Sequence, residues 1–261
     1  MTATDPQLDH VVVVVGSLAG ARATFESAGF TVVPGGRHDA LPTENALVCF
    51  ADGSYLELLA ARDPDTRDEL RALRAGASWE RHLKHVSAVA RRFLPILAGP
   101  DGVADWVVRT DSLARPAGSL RSAGLKAAGP VRMSRERPDG ERLSWELLLP
   151  EFARHPFWIA DRTPRERRVP GDAAATTHAN GARGIAAVHV RAPNVPMVAL
   201  ELGDVLGTPP RAENSVTALE LCGVRIEVVD GEPEGACGVA LVGCGALPEA
   251  IRALGITPAS D

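Results

Sequence analysis

Glu57 stands between Leu56 and Leu58 in the run YLELLAA (55 to 61), so a carboxylate lies in a stretch whose neighbours on both faces are apolar. An unpaired buried carboxylate is costly, and this one needs a metal ion, an arginine or a shared proton beside it. His10 heads a second apolar run, LDHVVVVV at 8 to 15. An imidazole there can ligate, titrate or simply hydrogen-bond at a strand end. A third group, Arg37, His38, Thr43 and Asn45, follows the paired glycines Gly35 and Gly36, which allow close approach of backbone to a ligand. It reads as a substrate-binding loop with His38 as acid or base, and equally as a surface turn with Asn45 bonding its own backbone.

Other titratable groups carry less. His82 and His85 are spaced to share a metal, but WERHLKHVSAVARR around them is amphipathic and basic, which describes a solvated helix face. His155, His178 and His189 each stand alone, and Cys49, Cys222, Cys237 and Cys244 fall in no zinc-binding spacing, so they read as small core residues in a reducing compartment. Nucleophile-elbow, dinucleotide-binding and phosphate-loop motifs are missing from the sequence. The 261 residues are 45% hydrophobic with a formal charge of -5. That suits a folded chain with a sizeable core and gives no basic footprint for nucleic acid. No run approaches a membrane span and no basic segment precedes the first apolar stretch, so a soluble cytoplasmic protein is expected.

The elements that must position these groups show an internal repeat. SLAGARATFESAGF (17 to 30) and SLARPAGSLRSAGL (112 to 125) share six of fourteen positions without a gap. Each opens on a capping serine, Ser17 or Ser112, and closes on a glycine suited to a left-handed stop, Gly29 or Gly124. Apolar strands precede both helices, and β-like runs follow, with Asp52-Gly53 and Pro138-Asp139-Gly140 as turns. The grammar is βαβββ, repeated. A helical insertion is expected at about 66 to 97, paired units over 1 to 160, a linker over 161 to 183, and over 184 to 261 a partial third βαββ unit with a terminal strand and helix.

The stretch LDHVVVVV through GFTVVPGGRHDALPTENALVCFADGSYLELLA resembles the opening of the glyoxalase-like branch of the vicinal oxygen chelate superfamily. RPDGERLSWELLLP, HPFWI at 155 to 159 and HANGARGI at 178 to 185 resemble it further on. The resemblance implies an α+β fold of repeated βαβββ units whose curled mixed sheets surround a cleft, with a divalent metal (Zn, Mn, Ni or Fe) held by the first and last strands of each unit. His10 and Glu57 would be the first unit's ligands. Aligning the repeats adds Asp105 and Glu146, without the second-unit histidine usual in the superfamily. Trp158 would join Arg37, Thr43 and Asn45 in binding substrate, with His38 catalytic. The implied function is lyase, isomerase or, with iron, dioxygenase chemistry on an oxygen-chelating small molecule; a metal-free drug-sequestering protein is the alternative. The expected partners are a small-molecule substrate and, at most, a second copy of the chain in a homodimer.

Overall fold

The computed structural model describes residues 6–137, 139–213 and 216–259, so Pro138 of the expected turn lies outside the described residues. The first unit runs β1 (Gln7–Val14), α1 (Leu18–Ser27), β2 (Val33–His38), β3 (Thr43–Cys49) and β4 (Tyr55–Ala61). An insertion follows: α2 (Pro64–Ala75), α3 (Trp79–His85) and α4 (Ala88–Leu97). The second unit is β5 (Gly102–Arg109), α5 (Ala114–Ser122), β6 (Ala127–Glu136), β7 (Arg142–Pro150) and β8 (Phe157–Asp161). Two short turns of helix, α6 (Arg165–Arg168) and α7 (Ala173–Thr176), occupy the expected linker. The chain ends in β9 (Gly184–Ala192), α8 (Val195–Leu206), β10 (Arg211–Glu213), β11 (Val216–Leu221), β12 (Val224–Asp230), β13 (Gly235–Val242), α9 (Glu249–Arg252) and β14 (Ile256–Pro258).

The repeat is realised in the strand pairing. β1 pairs parallel with β4, β5 pairs parallel with β8, and β1 and β5 run antiparallel side by side. The two units thus close into one barrel in the order β1-β4-β3-β2-β6-β7-β8-β5. Both repeat helices stop at left-handed glycines, Gly29 and Gly124, and Ser17 caps α1 by accepting from the Gly20 amide. Ser112 instead accepts from the Ala114 amide one residue ahead of its helix, where Leu113 is the cap.

Strand period decides which side chains enter the barrel. His10, Val12 and Val14 of β1 face inward, as do Tyr55, Glu57 and Leu59 of β4, whereas Val11, Val13, Leu56 and Leu58 pack outward against α1, α5 and the second sheet. The insertion plugs one end of the barrel, with Leu70, Trp79, Phe93 and Leu97 joining Val12, Val14 and Trp145 in one apolar cluster. Residues 184 to 259 form a second sheet ordered β10-β11-β12-β9-β13-β14. Its third unit differs from the expected βαββ: three strands, not two, follow α8 before β13, because the short β10 pairs with β11 ahead of β12. The inner face of this sheet shares one core with the barrel's outside, where Val188, Leu202 and Ile226 cluster with Val11, Leu58 and Trp106.

Candidate functional site

A β-bulge at Asp9, where the β1/β5 register slips between Leu8 and His10, lets two successive polar side chains turn inward and be buried together. His10 Nδ1 lies 2.8 Å from Asp9 Oδ1, and its Nε2 lies 3.3 Å from Glu57 Oε2. The second Glu57 oxygen accepts from the Asn45 amide and lies 3.7 Å from His38 Nε2. His38 Nδ1 in turn contacts Thr43 Oγ1 at 3.0 Å. A Cβ at Gly35 would overlap the Asn45 amide and one at Gly36 the Glu136 carbonyl, so the paired glycines give room to a site residue and to the neighbouring strand rather than to a ligand directly. Tyr55 stacks on the His10 ring, 4.5 Å between centroids.

These groups open on a cavity of about 510 Å³, the open solvent at its mouth included, otherwise walled by Leu41, Leu59, Phe93, Met133, Trp145, Leu147, Phe157 and Ile159. Such walls weaken solvent screening and magnify charge effects. Burial alone would raise Glu57, but its bonds with His10 and Asn45 and the nearby His38 hold it down at about 2. For His10, burial is overridden by Asp9 and Glu57, and the imidazole is raised above its ordinary value. His38 goes the other way: burial lowers it, with Arg135 and His10 adding against the pull of Glu57. One carboxylate therefore sits between two histidines displaced in opposite directions.

Two basic residues complete the site. Arg168, from the expected linker, bonds Asp9 through both terminal nitrogens and Asp161 at 2.7 and 2.8 Å, and reaches the Tyr55 hydroxyl at 2.6 Å. Arg135, beside His38 in the β2/β6 register, donates to Asn45 Oδ1 at 3.1 Å and to the Arg168 carbonyl at 2.8 Å. Neither stood out in the sequence. The usable signal for Arg135 was its alternation with Met133 on one strand face; for Arg168, inside a charged run, there was none. Asp9 was masked by its neighbour, because strict alternation would have sent it outward.

Not all expected site residues arrive. Thr43 and Asn45 line the cavity with His38, whereas the Arg37 side chain is 74% exposed, within 4.0 Å of Glu44 and outside the lining. Asp105 is buried on the inward face, yet Arg92 at the plugged end holds both its oxygens at 2.7 Å. Glu146 points outward, because Trp145 and Leu147 face in, and it pairs with Arg162 and Arg132. The repeat alignment had matched Glu146 to the last strand of its unit, but that strand is β8, where Phe157 and Ile159 face in. Trp158, between them, faces outward for the same reason and lines a separate small cleft with Pro116 and Leu206. His178 clamps the chain, accepting from the Thr31 amide through Nδ1 and lying 3.0 Å from the Cys49 carbonyl through Nε2.

The four-residue metal set thus does not assemble, and among the described residues no group of three or more His, Cys, Asp or Glu side chains is arranged to hold a metal. The His10–Glu57 pair by itself fits two neighbouring positions on a divalent ion: its 3.3 Å separation is spanned when each donor lies ~2.0 to 2.2 Å from the ion. Asp9 on the far nitrogen is the kind of outer carboxylate that orients a ligating imidazole.

A family model described as a glyoxalase-like domain matches residues 8–206. Among curated proteins no sequence matches. A hypothetical protein from Staphylococcus aureus has a similar structure, with TM-score 0.70 and 17% identity over 91% of each chain. A Mn(II)-bound glyoxalase from Novosphingobium aromaticivorans gives 0.50 at 14% identity, covering 92% of this chain and 66% of that one. A mutant 4-hydroxymandelate synthase from Streptomyces coelicolor gives 0.56 at 11% identity, covering 92% and 71%. Among the described residues no helix is long and apolar enough to cross a membrane.

Proposed function

The chain belongs to the glyoxalase-like domain family, and from the charged groups gathered inside its barrel we propose that it is a small-molecule enzyme moving a proton on an oxygen-bearing substrate. The observation that carries this reading is Glu57 with a histidine at each oxygen, within a cavity walled in large part by apolar side chains. His38, kept neutral by burial, serves as the base that takes a proton from a carbon beside a carbonyl. His10, kept protonated by Asp9 and Glu57, sets its positive charge near the oxygen on which negative charge then develops. Glu57 faces both rings, Thr43 contacts His38, and Asp9 fixes the orientation of His10. Return of the proton to another carbon gives isomerisation, and loss of a leaving group gives lyase chemistry.

A second reading is favoured by the Asp9–His10 contact and by the Mn(II)-bound relative. In it His10 and Glu57 would hold a divalent cation, which would supply Lewis-acid stabilisation of the same anion. His38 remains the base in both readings, and Thr43 and Asn45 keep their places.

Incorporation of solvent deuterium into a panel of small α-oxo and α-hydroxy compounds tests the proposal, with the protein assayed as purified and after chelation. Exchange that is lost in His38→Gln supports it. No exchange with any compound, with or without added Mn, Zn, Ni or Fe, contradicts it and leaves a binding protein as the better description.

A further inference from the structure

The carboxylates around the cavity are already matched to cations. Asp9 is bonded by Arg168 and Arg165, Asp161 by Arg168, and Glu57 faces His10. Arg135 is the exception. It is 4% exposed and lines the cavity, yet among the described residues no carboxylate pairs with it. Its hydrogen bonds go to a neutral amide and a backbone carbonyl, and its Nε is a buried donor with no partner. A guanidinium taken out of water with no carboxylate in contact, Glu57 reaching it only across Asn45, is costly, and native interiors satisfy such groups. What is missing here is one negative charge with a planar, oxygen-bearing face, and it is missing inside the site.

We propose that Arg135 anchors a carboxylate of the substrate, which is a small monoanionic oxo or hydroxy acid with its apolar end against Met133, Trp145 and Phe157. The inference rests on the proton-transfer reading above only for the oxo or hydroxy group; the carboxylate follows from Arg135 alone. One uncompensated cation matches a monoanion, whereas a phosphate or a second carboxylate would bring surplus negative charge up to Glu57. Position agrees with the chemistry. Arg135 and His38 are cross-strand partners on β6 and β2, and such pairs have Cβ atoms about 5 Å apart. A carboxylate on Arg135 therefore presents its neighbouring carbon to the His38 side.

The test is titration of the full-length protein with matched acids and amides, 2-oxobutanoate against 2-oxobutanamide and lactate against lactamide. Binding is read by calorimetry and by the 15N-edited resonance of the Arg135 Nε–H. The acids are expected to bind about ten- to a hundredfold more tightly than the amides, the usual worth of a hydrogen bond to a charged group, and to shift the Nε–H resonance. Arg135→Gln should remove the preference of acid over amide. Glu57→Gln should keep it, so loss of chemistry and loss of anion binding are separable. Amides binding as well as acids overturns the proposal, and so does an Arg135 Nε–H resonance unmoved by either acid at tens of millimolar, a readout on the wild type that does not depend on a variant folding.

Discussion

Replacing Glu57 by Gln keeps the shape and the oxygen that accepts from Asn45 but removes the charge between His10 and His38. In the folded protein this carboxyl is lowered from 4.5 to about 2, and each unit of such a shift is worth ~1.4 kcal/mol, giving roughly 3 kcal/mol. Breaking a buried pair by removing one partner costs a similar ~3 to 5 kcal/mol. A depressed carboxylate stabilises above its unfolded pKa and loses that contribution as pH falls through the folded value. The wild type should therefore exceed Glu57→Gln by about 3 kcal/mol near pH 7, and by only roughly 1 kcal/mol near pH 3. Urea unfolding at the two pH values measures both differences. In a chain of this size the neutral-pH loss corresponds to a fall in Tm of about 6 to 12 °C. A difference under about 1 kcal/mol near pH 7, or one that does not shrink on acidification, would refute the argument that the pair is ionised and stabilising.

Other consequences follow from the same packing. Asp105→Asn should cost about 3 to 5 kcal/mol by stranding Arg92, while leaving metal content and deuterium exchange unchanged; altered metal content would return Asp105 to the site. His155, fully buried and lowered to about 4 chiefly by burial, lies 3.1 Å from Glu201 out of line for a hydrogen bond. Its folded pKa is below its unfolded one, so its contribution is present above about 6.5 and lost between there and about 4, up to roughly 3 kcal/mol; His155→Phe should flatten that part of the stability profile. Phe25→Ala, at a site with no exposed surface beneath α1, should destabilise by about 3 to 5 kcal/mol in thermal or urea unfolding without touching ligand binding.

The sequence made the repeat visible because capped helices and apolar strands are local features, and His10 and Glu57 visible because each polar group interrupts an apolar run. Less local facts were hidden. Glu146 matches Glu57 only when ERLSWELLLP is read as the last strand of the second unit; that stretch is its third strand, and the short HPFWI segment, which offers no inward carboxylate, holds the fourth. Asp9 required a bulge that no periodicity announces. Arg168 required a stretch of polar residues to fold back across the barrel, and that depends on contacts with Asp9, Tyr55 and Asp161 far away in the chain. Arg135 is informative only once its neighbours are known, because an inward arginine becomes a demand for an anion when the carboxylates around it are already taken.

Two histidines facing one buried carboxylate stand in opposite protonation states, His10 charged through Asp9 and Glu57, and His38 neutral through burial and Arg135 against the pull of Glu57. Nitrogen-15 NMR of the histidine side chains, recorded near neutral pH on wild type and on His10→Gln and His38→Gln for assignment, measures this directly. Both ring nitrogens of His10 should be protonated, and one of His38. His10 carrying a single ring proton, or both histidines in the same state, would contradict this.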